Sequence, residues 1–183
     1  MVSTNFIADA NAAEASGWYK TTAEAANVPV ARGAILRVDS YNDSWKHQTW
    51  FYTTDGGCTL ERYKLNGTWG EWEWVNPPMA VGVEYRTTER MNGKPVYVKC
   101  VDIGYLPNNT TKQVALYASA DLQYTYQPIG FYGYAYVDSS YIALPYLNTI
   151  FLCASDGRII ISTTANYSNW AGSVTVKYTK STD

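Results

Sequence analysis

Between residues 17 and 75 apolar and polar positions alternate with a period of two, and Gly-Gly and Asn-Gly dipeptides interrupt the alternation. A period of two suits half-buried strands, because successive side chains leave opposite faces of the ribbon. Strands are predicted at 17–20, 33–40, 47–54, 58–65 and 68–75, with turns at Asp55-Gly56-Gly57 and Asn66-Gly67. Asn66-Gly67 is the strongest of these signals, since both positions of a tight hairpin turn need positive φ. The arm after it puts Trp72 and Trp74 on one face and Glu71 and Glu73 on the other. Upstream, residues 8–15 are alanine-rich and predict one or two helical turns that stop at Ser16-Gly17.

Asn76-Pro77-Pro78 breaks the pattern, because consecutive prolines cannot continue a central strand. The chain therefore divides into a lead-in (1–16), a small β module (17–75), a Pro-rich linker (76–84) and a second domain (85–183). In the second domain, strands are predicted at 95–101, 129–137, 150–154, 158–163 and 173–179, with Asn92-Gly93 ahead of the first and a hairpin turn at Asp156-Gly157. Residues 106–110 read as a polar loop. Many short strands and no long helix predict an all-β chain: a β module followed by an antiparallel β-sandwich of the jelly-roll kind.

Composition adds a constraint on the surface. Charged residues are 16% of the 183, below the roughly 25% usual for soluble domains, while there are 17 tyrosines and seven tryptophans. Such a surface must be covered by Tyr, Thr, Asn and Ser, or by another subunit. A formal net charge of −2 gives no basic stripe and argues against nucleic acid. No run is long enough to span a membrane, and the first ten residues lack the basic head and apolar core of a signal peptide. Cys58, Cys100 and Cys153 show no CxxC spacing and read as reduced thilos of a protein folded in a cytoplasm, with Cys58–Cys100 or Cys100–Cys153 pairing left open.

Two resemblances cover nearly the whole chain. Gly17-Trp18-Tyr19, Asn27-Val28-Pro29, residues 33–38, Gln48-Thr49-Trp50-Phe51-Tyr52 and the hairpin at 59–74, in that order, resemble the small β knob of bacteriophage tail fibres and R-type pyocin fibres. Glu84-Tyr85, residues 92–99, residues 102–108 and the closing stretch 176–183 resemble the C-terminal domain of phage and prophage tail fibres. The resemblance implies a receptor-binding tip. Its receptor specificity is expected in the variable middle, roughly 115–170.

Catalytic constellations are thin. Glu71 and Glu73 are neighbours two apart on a strand, as a glycosidase pair could be, but any half-exposed strand shows the same spacing. His47 is the single histidine, with no second ligand at zinc spacing and no nucleophile elbow elsewhere. No phosphate-binding glycine loop is present. No cofactor or metal is expected.

Aromatic residues are the better candidates. In the strand at 129–137, Tyr132, Tyr134 and Tyr136 share one face, and Phe131, Ala135 and Val137 share the other. The apolar face is expected in the core, which turns the tyrosines toward a ligand or a neighbouring subunit. Asp138 and Tyr141, with Asn166, Asn169 and Trp170, add acids, amides and rings on loops. In the first module Trp45 is expected exposed, beside Asn42-Asp43-Ser44, and Trp50 buried.

The sequence thus reads as a non-enzymatic tail-fibre tip that attaches a phage or tailocin-like particle to a bacterial surface saccharide. It is expected to be a homotrimer joined to an upstream fibre or baseplate protein, located in the virion, folded in the host cytoplasm and released by lysis. The alternatives are a structural or trimerising fibre segment, and a polysaccharide depolymerase.

Overall fold

The computed structural model describes residues 5–52, 57–116, 126–147, 150–155, 157–181 and 183. It is all-β, with one 3-10 turn and no α-helix among the described residues. The chain forms two compact units, Met1–Pro78 with Arg86–Thr88, and Met79–Tyr85 with Glu89–Asp183.

The first unit contains β1 (Phe6–Asp9), a 3-10 turn (Ala10–Ala12), β2 (Gly17–Ala26), β3 (Ala34–Ser40), β4 (Lys46–Tyr52), β5 (Cys58–Leu65), β6 (Thr68–Trp69) and β7 (Glu73–Trp74). Its sheet runs β1-β2-β3-β4-β5-β7, with β6 paired to β5. β1 lies parallel to β2, and Trp74 pairs in parallel with Thr87. The turn of the β5–β6 hairpin is Asn66-Gly67, at φ 52° and 83°, between the paired Leu65 and Thr68. Asp55 and Gly56 of the other predicted turn lie outside the described residues.

Residues 8–15 differ from the helix expected of them. They continue β1 into the 3-10 turn, where Asp9 Oδ1 accepts the Asn11 amide at 2.8 Å. Tertiary packing overrides alanine's helix propensity here. Ala10 and Ala13 lie on a core of Leu36, Val38, Trp50, Tyr52, Cys58 and Leu60. Trp50 is fully buried, as its strand position predicts.

The covering segment leaves carbonyls that need donors, and β4 supplies them from its buried face. Gln48 Nε2 donates to the carbonyls of Ala10 and Ala13 at 2.8 and 3.2 Å. Lys46 Nζ reaches the Glu14 carbonyl and carboxylate, both at 2.9 Å. Gln48 Oε1 accepts from Arg62 Nε and Nη2 at 3.0 and 2.8 Å, and Asn11 Oδ1 from Arg62 Nη2 at 2.7 Å. The Arg62 guanidinium also lies 4.4 Å from the ring centroids of Trp69 and Trp72. Its burial lowers its pKa to about 10.

The Trp/Glu alternation expected at 71–74 is corrected by this packing. The arm is not one strand but two short pieces, and Glu73 is the buried residue, accepting from Arg86 Nε at 2.9 Å. Trp72 donates Nε1 to the Asn27 carbonyl at 2.9 Å, and both Trp72 and Trp74 pack against the core. A break at 70–72 resets the parity that strict alternation assumes.

The second unit holds β8 (Glu84–Met91) except its middle residues Arg86–Thr88, β9 (Lys94–Tyr105), β10 (Thr111–Ala115), β11 (Tyr126–Val137), β12 (Ser140–Leu144), β13 (Ile150–Ser155), β14 (Arg158–Thr163) and β15 (Ala171–Lys180). One sheet runs β8-β9-β15-β11-β12 and another β10-β14-β13. They share a core in which Ile150, Leu152, Ile159 and Ile161 of the smaller sheet meet Ile103, Ala135, Val174, Val176 and Tyr178 of the larger. Two packed sheets are present, but the arrangement of five strands and three does not show a jelly roll. Asn92-Gly93 turns the β8–β9 hairpin at φ 53° and 81°. Ser155 pairs with Arg158 across the predicted β13–β14 turn, of which Asp156 lies outside the described residues.

β11 and β15 are in contact over most of their lengths, and two glycines permit it. A Cβ on Gly133 would fall 2.3 Å from the Ser173 carbonyl oxygen, and one on Gly172 would fall 2.4 Å from that of Tyr134. Cys58 is buried and Cys100 half-buried, and both are free thiols. The Cys153 side chain lies outside the described residues.

Candidate functional site

The register of β11 settles which way its tyrosines face. Phe131 opposes Val176 and Gly133 opposes Val174 on the core side, while Tyr132, Tyr134 and Tyr136 oppose Thr175, Ser173 and Ala171. Ala135 is fully buried, whereas Tyr132, Tyr134 and Tyr136 are 54%, 48% and 43% exposed. Across the next pairing, Tyr136 opposes Tyr141 and Tyr134 opposes Ala143. Tyr141 is 70% exposed. The ring centroids of Tyr134 and Tyr136 are 6.3 Å apart, and those of Tyr136 and Tyr141 6.2 Å, both pairs tilted. That spacing lies within the range of favourable aromatic pairs.

Asp138 occupies the β11–β12 turn at φ 50° and is exposed. Aspartate tolerates that left-handed backbone better than most residues, which accounts for its place there.

A fifth tyrosine belongs to this face and was not legible as a candidate. Strict alternation along Val101, Ile103 and Tyr105 would put Tyr105 in the core. Instead Ser173 opposes Asp102 while Gly172 opposes Gly104, so Ile103 is an extra residue. Gly104 sits at φ 58°, and its amide donates to Asp102 Oδ1 at 2.8 Å. This bulge reverses the parity of the strand's end. Tyr105 therefore opposes Ala171 on the outer face and is 65% exposed. The signal that could have found it is the Asp-x-Gly triplet inside a strand.

The loop candidates divide. Asn166 and Asn169 are exposed. Asn166 Oδ1 is engaged by the Ser168 amide and hydroxyl at 3.0 and 2.8 Å, so it shapes its own loop. Trp170 is turned inward. It is half-buried against the core, edge-on to Tyr167 at 6.4 Å, and its carbonyl accepts the Leu106 amide at 2.7 Å. A wide apolar ring gains more from the core than from solvent at the loop's base. Trp45, in the first unit, is 45% exposed next to the 89%-exposed Tyr41, and its amide donates to Asn42 Oδ1 at 2.9 Å. The structure thus gathers Tyr132, Tyr134, Tyr136, Tyr141 and Tyr105 on one sheet face and leaves Asn166, Asn169, Trp170 and Trp45 in other settings.

The acid–base candidates do not assemble. Glu71 is exposed, while Glu73 is held by Arg86. His47 stacks on Tyr63 with centroids 4.6 Å apart, its Nε2 3.1 Å from Glu61 Oε2 and its Nδ1 3.8 Å from Asp39 Oδ2. Among the described residues no group of three or more His, Cys, Asp or Glu side chains is placed to hold a metal ion. A depression of about 400 Å³ is lined by the apolar Val81, Val101, Ala115 and Leu116 together with Gly82 and the charged Lys99 and Asp102.

The sequence matches no family model and no curated protein. Among solved structures, the chain resembles a C-terminal portion of the P. aeruginosa R1 pyocin fibre, with a TM-score of 0.36, 12% identity, and coverage of 97% of this chain and 67% of that one. An N-truncated R2-type pyocin tail fibre gives a TM-score of 0.35 and 12% identity over 97% of this chain and 99% of the other.

Proposed function

We propose that the chain is a tail-fibre tip of a phage or tailocin-like particle, and that the tyrosine face of its second unit binds a saccharide on a bacterial surface. The observation that carries this reading is the cluster of exposed rings on one strand face, interleaved with Ser173, Ala171 and Ala143. Tyrosine offers an apolar ring for the carbon-bound faces of a sugar and a hydroxyl for its polar edge. Rings fixed on a sheet lose little freedom on binding, which keeps the entropic cost low. The sequence resemblance to tail fibres gives the same direction.

The particle would gain its hold by repetition. A homotrimer at the end of each fibre, attached to an upstream fibre or baseplate protein, multiplies weak single contacts. The proposed role is attachment without cleavage.

The test is binding of the labelled chain to a panel of bacteria, compared with a Tyr134→Ala, Tyr136→Ala variant. Loss of about tenfold or more in affinity is expected if each ring adds as much as base stacking does elsewhere. Equal binding by both proteins would remove the tyrosine face from the reading. Binding to no surface, together with a trimer mass by light scattering, would favour a structural fibre segment.

A further inference from the structure

The tyrosine face has a relief that assigns a particular subsite, and this inference rests on the saccharide reading above. β15 lies between β9 and β11 and presents small outward residues, Ala171 and then Ser173. On the β11 side stand Tyr136 and Tyr134, and on the β9 side Tyr105 and Asp102. We propose that this trough along β15, walled by Tyr105 and Tyr136 over Ala171, is a subsite for one neutral or amine-bearing hexose unit.

The spacing supports it. Adjacent strands lie about 4.8 Å apart, so Tyr105 and Tyr136 rise from backbones about 10 Å apart. A ring held between two aromatic walls needs about 7–8 Å between them, two contacts of 3.5–4.0 Å each. Directly paired tyrosines leave no such room, as the 6.2 Å between Tyr136 and Tyr141 shows. Ala171 is what opens the gap. Farther along the floor Thr175 is buried, and Lys177 is tied to Glu89 at 2.6 and 2.8 Å, which marks the end of the trough.

The charge of the trough selects its occupant. Asp102 is the exposed carboxylate in the walls, and Ser173 adds a hydroxyl beside it. The nearby Lys112 ammonium donates to the Ile103 and Tyr105 carbonyls at 2.7 and 2.9 Å, and Lys177 is held by Glu89. A carboxylate beside the sugar accepts hydroxyl or ammonium hydrogens and repels a second carboxylate. Asp102 therefore disfavours a uronic acid, an effect that the nearby Lys112 charge reduces without removing.

The experiment uses the full chain, labelled with nitrogen-15 and titrated with glucose, galactose, N-acetylglucosamine, glucosamine and glucuronic acid. Saturable shifts at the amides of Tyr105, Ala171 and Ser173 are expected for at least one of the first four, with glucuronic acid about tenfold weaker or absent. Ala171→Leu, which fills the trough from an outward strand position, should abolish those shifts and leave the rest of the spectrum in place. Asp102→Asn keeps the oxygen that accepts the Gly104 amide and should bring glucuronic acid to parity. Shifts that stay away from the trough with all five sugars, or unchanged affinity in Ala171→Leu, would overturn the proposal. So would a fall in oligomer mass in Ala171→Leu, because the trough would then be occupied by a second copy. Cell binding that survives Ala171→Leu while Tyr134→Ala, Tyr136→Ala abolishes it would sink the subsite alone. Absence of cell binding by the unmodified chain would sink the attachment reading as well.

Discussion

Asp102 holds the amide of Gly104 across a single intervening residue, and that 2.8 Å bond fixes the bulge that carries Tyr105 to the outer face. Gly104 is at φ 58°, where a side chain is strained even though the space around it is ordinary. Gly104→Ala should lower stability by about 1–2 kcal/mol, read by chemical denaturation. Asp102→Ala, which removes the acceptor, should cost about 1 kcal/mol. If neither variant shifts the midpoint, the bulge is not held by this bond.

The glycine pair between β11 and β15 should be far less tolerant. Gly133→Ala and Gly172→Ala each drive a methyl into a backbone carbonyl at 2.3–2.4 Å, so a strand must move. Each should cost about 1–3 kcal/mol or more, from overpacking at a site that cannot relax by rotating a side chain. Soluble, unchanged protein from Gly172→Ala would show that the two strands can separate freely.

Arg62 should prove the least replaceable charge in the first unit. Arg62→Leu leaves Gln48 Oε1 buried without its donor and parts the two tryptophans, for a loss of about 1–3 kcal/mol from the unmet acceptor alone. Arg62→Lys should not restore it, because an ammonium cannot make the paired fork and lie flat on two rings. Full rescue by lysine would reduce the role to simple charge.

Acid should loosen the first unit through Glu14 and Asp9. Lys64 and Lys46 hold the Glu14 carboxyl below its ordinary 4.5, and the Asn27 side chain and Asn11 amide hold that of Asp9 below 3.8. With folded values depressed, the unfolded chain binds more protons as pH falls. The stabilisation is complete above these ordinary values and is lost as pH drops through them toward the folded ones. Urea midpoints should therefore fall between pH of about 5 and 3. Glu14→Gln should start lower at neutral pH and fall less.

Much of this was legible because alternation and turn chemistry are local. Asn66-Gly67 turns where the dipeptide says, and the outward set of β11 follows from period two. What was not legible depended on distant partners. Glu73 is buried because Arg86 meets it, and no feature of residues 71–74 announces that ion. The lead-in is not a helix because the sheet beneath supplies donors from Lys46 and Gln48. Tyr105 was missed because one extra residue inverts a parity that otherwise holds along β9. That the ring of Trp170 packs against the core was equally out of reach, because a loop position does not tell which way its side chain turns.

The tight seam at Gly133 and Gly172 also separates two kinds of change. Their clashes are with backbone oxygens, so the register of β11 on β15 depends on atoms that every amino acid possesses. Substitutions at Tyr132, Tyr134, Tyr136, Ala171 or Ser173 alter the outward relief without touching that seam. The outward relief can therefore be rewritten by successive single replacements, each leaving the alignment of the strands intact.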